Sequence, residues 1–154
     1  MFKRLIAGFG RKELVPDIAT LQGEVVRSIV SDIRDLHDGE WEEREWVHIA
    51  INHEMSIKDG MRSSSQSIVL ARKGDGALEA LSFRLSMATK QKLVALREAM
   101  AKVGQEPWTI LDLTIERDGR YDFVFGYDPP PRLNGDLLHR PLQDLLIRYI
   151  SEQQ

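Results

Sequence analysis

Carboxylates are the side chains of this sequence best placed to do chemistry. Asp112, Glu116 and Asp122 occupy alternate positions of two predicted strands, which would bring them to one face of a sheet. Two such carboxylates can serve a hydrolase as acid and base, but one of them then needs an apolar pocket that raises its pKa. A flat, exposed sheet offers no such pocket. The pattern therefore favours a solvated sheet face or, as a second interpretation, a surface that binds the basic groove of a partner.

A second acidic set lies just before the first predicted strand. Glu42, Glu43 and Glu45 stand between Trp41 and Trp46. Tryptophans beside carboxylates could anchor a partner protein, because large aromatic side chains supply much of the binding energy of interfaces. The simpler interpretation is a solvated loop over buried tryptophans. Both acidic sets are candidate partner-binding residues.

The histidines do not have the spacing of a metal site. His48 and His53 are five residues apart on a predicted strand, so their side chains point to opposite faces. His48 and Glu54 share a face, but their separation corresponds to about 20 Å along a strand. His37 falls near the end of a predicted helix, where a partial positive charge is favourable. We predict no metal and no other cofactor.

Two further motifs are incomplete. Gly8-Phe9-Gly10 is like the start of a dinucleotide-binding loop, but Glu13 stands where the third glycine belongs and no strand clearly precedes it. The serines at positions 63 to 65 lack the glycines of a nucleophile elbow, and no lysine has the offset of a serine–lysine pair. We predict that these serines lie in a flexible loop and that the chain has no catalytic residues.

Composition narrows the class of protein. The chain has 154 residues and no cysteine, which fits one cytoplasmic domain, residues 1–154, without disulfides or thiolate metal sites. The formal net charge of −3 argues against a nucleic-acid-binding protein. Residues 1–12 are expected to form a frayed terminus rather than a membrane tether, and no stretch is long enough to cross a membrane. We expect a monomer or a weak homodimer.

The hydrophobic pattern predicts an α+β fold with the element order α-βββ-α-ββ-α. Apolar residues recur at helical spacing after Pro16 and at every second position from Val47. These elements form an antiparallel sheet of about five strands with the helices packed on one face. The predicted helices span 16–36, about 86–103 and 141–151, and the predicted strands span 47–54, 67–72, 78–85, 109–116 and 121–127, with a loop over 58–66.

The last hairpin fixes the register of its two strands. A two-residue turn at Asp118-Gly119 would place Ile115 opposite Asp122 and mix apolar and charged side chains on each face. A three-residue loop ending at Gly119, with this glycine in the left-handed conformation, makes one face uniformly apolar. The other face is then polar and available to water or a partner. The predicted pairs are Ile115–Tyr121, Leu113–Phe123 and Leu111–Phe125.

The segment from Leu93 to Asp128, LVALREAMAKVGQEPWTILDLTIERDGRYDFVFGYD, resembles the central signature of the YezG family of bacterial immunity proteins. In that family a helix ends in a Gln-Glu-Pro-Trp-like step, followed by a strand, a glycine turn and a strand of alternating Phe and Tyr that ends in Tyr-Asp. The acidic step around Trp41 is also similar to the family pattern. The three prolines after Asp128 and the last helix depart from it. The matching residues are Gln105, Glu106, Pro107, Trp108, Gly119, Phe123, Phe125, Tyr127 and Asp128.

The resemblance implies an α+β fold and a role as an antitoxin that binds and neutralises a secreted bacterial toxin, often a nuclease. It implies no catalytic residues. Occlusion of the toxin's active cleft by acidic surface is the leading hypothesis for the mechanism. Two other hypotheses stay open. One is a small-ligand-binding or enzymatic α+β domain with a pocket between sheet and helices, and the other is a dimerising module that uses the polar sheet face or the last helix.

Overall fold

The computed structural model describes residues 17–153, and the expectations for residues 1–12 and for the Gly8–Gly10 motif lie outside this range. Helix α1 spans Ile18–Asp32. Asp17 caps it, because its carboxylate accepts hydrogen bonds from the backbone N–H of Ala19 at 3.0 Å and from the hydroxyl of Thr20 at 2.8 Å. The apolar pattern predicts a helix up to Leu36, but the helix ends at Asp32.

A five-stranded antiparallel sheet forms the centre of the fold. Its strands β1 to β5 are Glu45–Ser56, Arg62–Arg72, Glu79–Ser82, Ile110–Glu116 and Tyr121–Gly126. They lie in the order β3-β2-β1-β4-β5. Helix α2 spans Met87–Lys102 between β3 and β4, and helix α3 spans Leu145–Glu152. The predicted α+β class and the order α-βββ-α-ββ-α are confirmed.

The predicted loop over 58–66 is confirmed for residues 58–61 and wrong from residue 62 onwards, because β2 begins at Arg62 and pairs with the end of β1. Ser65 lies opposite His53 in this ladder. A tight turn at Asp59-Gly60, where both residues have positive φ, connects the two strands. The serines offer no apolar alternation from which a strand can be predicted. They adopt a strand conformation because the backbone N–H and C=O groups of β1 need hydrogen-bond partners, which β2 supplies.

The register of the β4–β5 hairpin agrees with the prediction. Gly119 ends the loop with a φ of 99°, the left-handed conformation that a residue with a Cβ adopts only under strain. The alternate apolar residues of both strands consequently share one face with the core. All three predicted pairs are present: Ile115–Tyr121, Leu113–Phe123 and Leu111–Phe125.

Helices α1 and α2 cover one face of the sheet, which we call the helix face. Ile29 of α1 and Leu93 of α2 are both completely buried against the strands. Helix α2 begins after Ser86, whose hydroxyl accepts a hydrogen bond from the backbone N–H of Thr89. It ends before Gly104, which adopts the predicted left-handed conformation with a φ of 90°.

The prediction that the helices pack on one face is wrong for α3. This helix lies on the opposite face, where Leu145 is buried against Ala50 of β1 and Leu70 of β2. The reason is that β1 and β2 carry apolar side chains at both parities, so both of their faces require burial. The half of this second face that belongs to β4 and β5 stays open to solvent, as the exposure of Asp112 and Asp122 shows.

Three aromatic residues of the segment that resembles the immunity family contribute to packing. Trp108 has no exposed surface, and its carbonyl accepts a 2.6 Å hydrogen bond from Nε of the buried Arg97 of α2. Desolvation lowers the pKa of Arg97. Phe125 lies against Trp108 with 5.6 Å between ring centroids, and Phe123 stacks on Phe125 at 6.0 Å. The other six matching residues are surface-exposed: Gln105, Glu106 and Pro107 in the link between α2 and β4, Gly119 in the hairpin loop, and Tyr127 and Asp128 just after β5.

Candidate functional site

Asp112, Glu116 and Asp122 lie on the half of the second sheet face that α3 leaves open. The register places Asp122 opposite Thr114 and Asp112 opposite Val124. Val124 is 53% exposed, so a small apolar side chain lies beside the carboxylates. The structure therefore brings the three predicted residues to one surface, which we call the acidic face.

The three carboxylates of the acidic face differ in their partners. Glu116 is half-buried, and its carboxylate lies 2.9 Å from Nδ1 of His48. Asp112 accepts a 2.8 Å hydrogen bond from the side-chain amide of Asn52. Asp122 is exposed and forms no ion pair within the described part of the chain. Asp112 on β4 and Asp122 on β5 are therefore the two carboxylates of the acidic face that form no ion pair among the described residues.

The C-terminal helix forms the boundary of the acidic face. The ring of Tyr149 lies against the ring of His48, with 4.9 Å between centroids. Burial, and next the negative charge of Glu116, raise the pKa of Tyr149, while Arg72 opposes the shift. Helix α3 thus covers His48 from one side while Glu116 bonds to it from the other. The pair of His48 and Glu116 therefore marks the boundary between the part of the second sheet face that α3 covers and the part that is open to solvent.

Two surface depressions of the described residues lie away from the acidic face. One depression, of about 360 Å³, lies between α1 and α2 and is lined by residues such as Arg27 and Lys92. Another, of about 200 Å³, lies beside β2. Neither is lined by Asp112, Glu116 or Asp122. Because these carboxylates stand on open sheet, their surroundings suit contact with a large partner better than acid–base chemistry.

The acidic connector before β1 is largely neutralised by ion pairs. Glu42 lies 2.6 Å from the ammonium of Lys73. The hydrogen bond from Lys73, and then its charge, hold the pKa of Glu42 below its usual range. Glu45 lies 3.4 Å from Arg117, which leaves Glu43 as the member of this set without an ion pair in residues 17–153. The two acidic sets meet at the same end of the sheet, since Arg117 directly follows Glu116.

The two tryptophans of the connector are not exposed anchors. Trp41 is buried, and the guanidinium of Arg34 lies 5.7 Å from its ring centre. Trp46 is half-buried beneath Arg117, whose guanidinium is 5.1 Å from the ring. The arrangement is that of a solvated loop over buried tryptophans.

A buried ion pair lies under the chain that follows the three prolines, and sequence reasoning missed it. Glu54 of β1 has no exposed surface, and its carboxylate lies 3.6 Å from the guanidinium of Arg132. The same carboxylate accepts a 3.1 Å hydrogen bond from the backbone N–H of Leu133. Arg132 also donates to the hydroxyl of Ser64 at 2.8 Å and to the backbone carbonyl of Asn52 at 3.1 Å. The available signal was a carboxylate in the middle of a buried strand, since such a group needs a partner.

His48 and His53 lie on opposite faces of β1, as predicted. His53 is on the helix face with 1% of its surface exposed, and its Nδ1 lies 2.6 Å from the hydroxyl of Ser65. Burial first, and then the positive charges of Lys90 and Arg132, lower the pKa of His53 to about 4. The imidazole is therefore neutral at physiological pH. Within residues 17–153, no cluster of three or more His, Asp or Glu side chains is arranged to hold a metal ion.

Comparison of the chain with protein-family models and with curated protein sequences gives no match. No helix within residues 17–153 is both long enough and apolar enough to span a membrane.

Proposed function

We propose that this protein is a cytoplasmic immunity protein that binds and neutralises a secreted bacterial toxin, and that it does so without catalysis. The observation that carries the proposal is the acidic face: three carboxylates on open sheet beside an exposed valine. The resemblance of residues 93–128 to the YezG family supports it, because the acidic face is built on two strands of that segment.

The acidic face has the chemistry that a basic cleft would recognise. A nuclease binds phosphates with lysine and arginine side chains, and carboxylates can occupy the same positions. Asp112 and Asp122 are exposed and carry charge, while Val124 offers an apolar contact between them. Such a surface speeds association by long-range attraction and blocks the cleft once bound.

The free edge of β5 adds a second means of contact. No strand from residues 17–153 pairs with the outer edge of β5, so the backbone groups of Tyr121–Gly126 can pair with an extended segment of a partner. A toxin that contacts both the edge and the acidic face would be held by backbone hydrogen bonds as well as by charge. The protein itself would act as a monomer or a weak homodimer.

The proposal is tested by co-purification with the product of a neighbouring toxin-like gene, followed by binding kinetics. In the variant Asp112→Lys/Asp122→Lys we expect the association rate to fall at least about tenfold and its salt dependence to weaken. The matched control is Asp136→Lys/Asp144→Lys, which makes the same change of charge at exposed positions outside the acidic face. Absence of any toxin partner would contradict the function. If both double variants slow association equally, the acidic face is not the surface that binds the toxin.

A further inference from the structure

The depression of about 200 Å³ beside β2 has a polar lining that the acidic face does not explain. It lies on the helix face, where the first half of β2 passes the start of α2. Ser63, Ser65 and Ser67, which alternate along β2, form one wall. Phe83 and Leu85, from the segment that leads into α2, form another. The depression is therefore a cleft with hydroxyl groups on one side and apolar groups on the other.

The charged side chains that line this cleft are cationic. Arg84 and Lys90 contribute a guanidinium and an ammonium, the imidazole of His37 also lines the cleft, and no carboxylate is among the lining residues. Arg84 is paired with Asp35, since its Nη2 lies 2.9 Å from that carboxylate. Lys90 has no ion pair within the described residues, so its charge is available to a ligand. The cleft consequently has a positive potential centred on Lys90.

His53 forms a hydrogen bond with one of the hydroxyl groups that line the cleft, that of Ser65. It lies behind Ser65, and the hydrogen bond of 2.6 Å joins its Nδ1 to the Ser65 hydroxyl oxygen. In the neutral tautomer that carries its proton on Nδ1, the ring donates to this oxygen and leaves the O–H of Ser65 to donate into the cleft. Ser67 differs, since its hydroxyl donates to the carbonyl of Phe83. Ser63, and Ser65 in that tautomer of His53, are thus the hydroxyl groups of the cleft that can donate to a ligand.

A serine beside a histidine also has the composition of a nucleophile and its base. That chemistry requires a base that takes a proton near neutral pH. With a pKa of about 4, His53 has little tendency to take the proton of Ser65. The pair is therefore suited to binding an acceptor oxygen rather than to attack on a substrate.

We propose that the cleft between β2 and α2 binds a phosphate-type dianion, with Lys90 supplying the charge and the hydroxyls of Ser63 and Ser65 donating to its oxygens. The ligand is inorganic phosphate or the phosphoryl group of a small phosphomonoester. This site is on the helix face, so it is separate from the acidic face and independent of the proposed toxin binding. A bound dianion beside Lys90 would oppose the positive field at His53 and raise the pKa of its ring.

The test is titration of the full chain with inorganic phosphate and with phenyl phosphate at constant ionic strength, followed by calorimetry and by NMR of His53. We expect saturable binding with one site and a rise in the pKa of His53 in the saturated protein. Lys90→Gln should weaken binding about tenfold or more, because a hydrogen bond to a charged group is lost. Ser63→Ala should weaken it less, and Lys92→Gln, which removes the same charge two residues further along α2 and outside the cleft, should leave it unchanged.

The two ligands separate the two sources of the anion. Tighter binding of phenyl phosphate would identify a phosphomonoester, with the ring against Phe83 and Leu85, and equal or weaker binding would identify free phosphate. Non-saturable binding, equal loss in Lys90→Gln and Lys92→Gln, or an unmoved pKa of His53 would each overturn the proposal. Circular dichroism of each variant establishes that it is folded. None of these results depends on a toxin partner.

Discussion

The carboxylate of Glu54 and the guanidinium of Arg132 lie 3.6 Å apart between the sheet and the C-terminal segment, and Glu54 has no exposed surface at all. Glu54 belongs to the central strand, whereas Arg132 follows the three prolines. Burial lowers the pKa of Arg132, and the charges of Glu54 and then Asp112 oppose this shift. The pair therefore ties the last part of the chain to the middle of the sheet.

Arg132→Met should destabilise the fold by about 3–5 kcal/mol, because it leaves the buried Glu54 carboxylate without its cation. Urea unfolding measures the change. Arg140→Met is the control, since this exposed arginine has no ion pair among the described residues and should change stability by less than about 0.5 kcal/mol. If the double variant Glu54→Leu/Arg132→Met is not more stable than Arg132→Met alone, the uncompensated charge is not the cause.

Leu145→Ala should destabilise the protein by about 2–5 kcal/mol, because Leu145 is buried between α3 and the second sheet face. Ile147→Ala provides a matched control within the same helix, as Ile147 is 73% exposed. That variant should lose less than about 0.5 kcal/mol. Thermal unfolding of both proteins is sufficient. Equal losses would mean that α3 does not pack on the sheet in the way described.

Gly119→Ala should cost about 1–2 kcal/mol, because residue 119 has a φ of 99° and an alanine there is strained. Gly23→Ala is the opposite case. Gly23 lies within α1, and an added Cβ would meet only the far end of Arg27 at 3.4 Å. We expect this variant to gain about 0.5–1 kcal/mol from helix propensity. A stabilised Gly119→Ala would contradict the bulged hairpin loop.

His53 should make the protein less stable in mild acid. Its pKa is about 4 in the folded protein and 6.5 in an ordinary environment, so between these values the unfolded chain binds more protons than the native one. Its contribution is fully present above pH 6.5 and is lost as the pH falls towards 4. It amounts to about 3 kcal/mol in total, of which about 2 kcal/mol is lost by pH 5.

Urea unfolding at pH 8 and pH 5 measures this difference in the wild type and in His53→Gln. Other groups facing the ring, Ser65 on β2, Lys90 on α2 and Arg132 beyond the prolines, do not titrate in this range. His53→Gln should therefore lose most of the difference. His37→Gln, which replaces an exposed histidine, should keep it. A pH dependence that survives in His53→Gln would assign it to other titrating groups instead.

The elements that depend on near neighbours in sequence could be predicted. The pairing of Leu113 with Phe123 follows from the requirement that one face be apolar, and that requirement involves only residues of one hairpin. The end of α2 follows from Gly104 in the same way. The acidic face could be predicted too, because it depends on the same hairpin register.

The features that could not be predicted from the sequence depend on contacts between residues that are far apart along the chain. The second half of the predicted loop over 58–66 is wrong, because Ser65 takes its strand conformation from its pairing with β1 and not from its own sequence pattern. The predicted position of α3 is wrong because the amphipathic pattern of a helix does not indicate which face of a sheet it covers when both faces carry apolar residues. Nothing in the sequence around Arg132 distinguishes it from a surface arginine. Its role follows only from the structure, in which the carboxylate of Glu54 lies beneath it.

The pairing of Glu54 with Arg132 also bears on synthesis of the chain at the ribosome. The central strand emerges early, but the guanidinium that compensates its buried carboxylate emerges only after both strands of the last hairpin. Until Arg132 is available, the carboxylate of Glu54 must remain hydrated. The second face of the sheet then stays in contact with water, and its apolar residues stay exposed. Closure of that face by the C-terminal segment is consequently a late event, and nascent chains that stall before it would depend on chaperones to avoid aggregation.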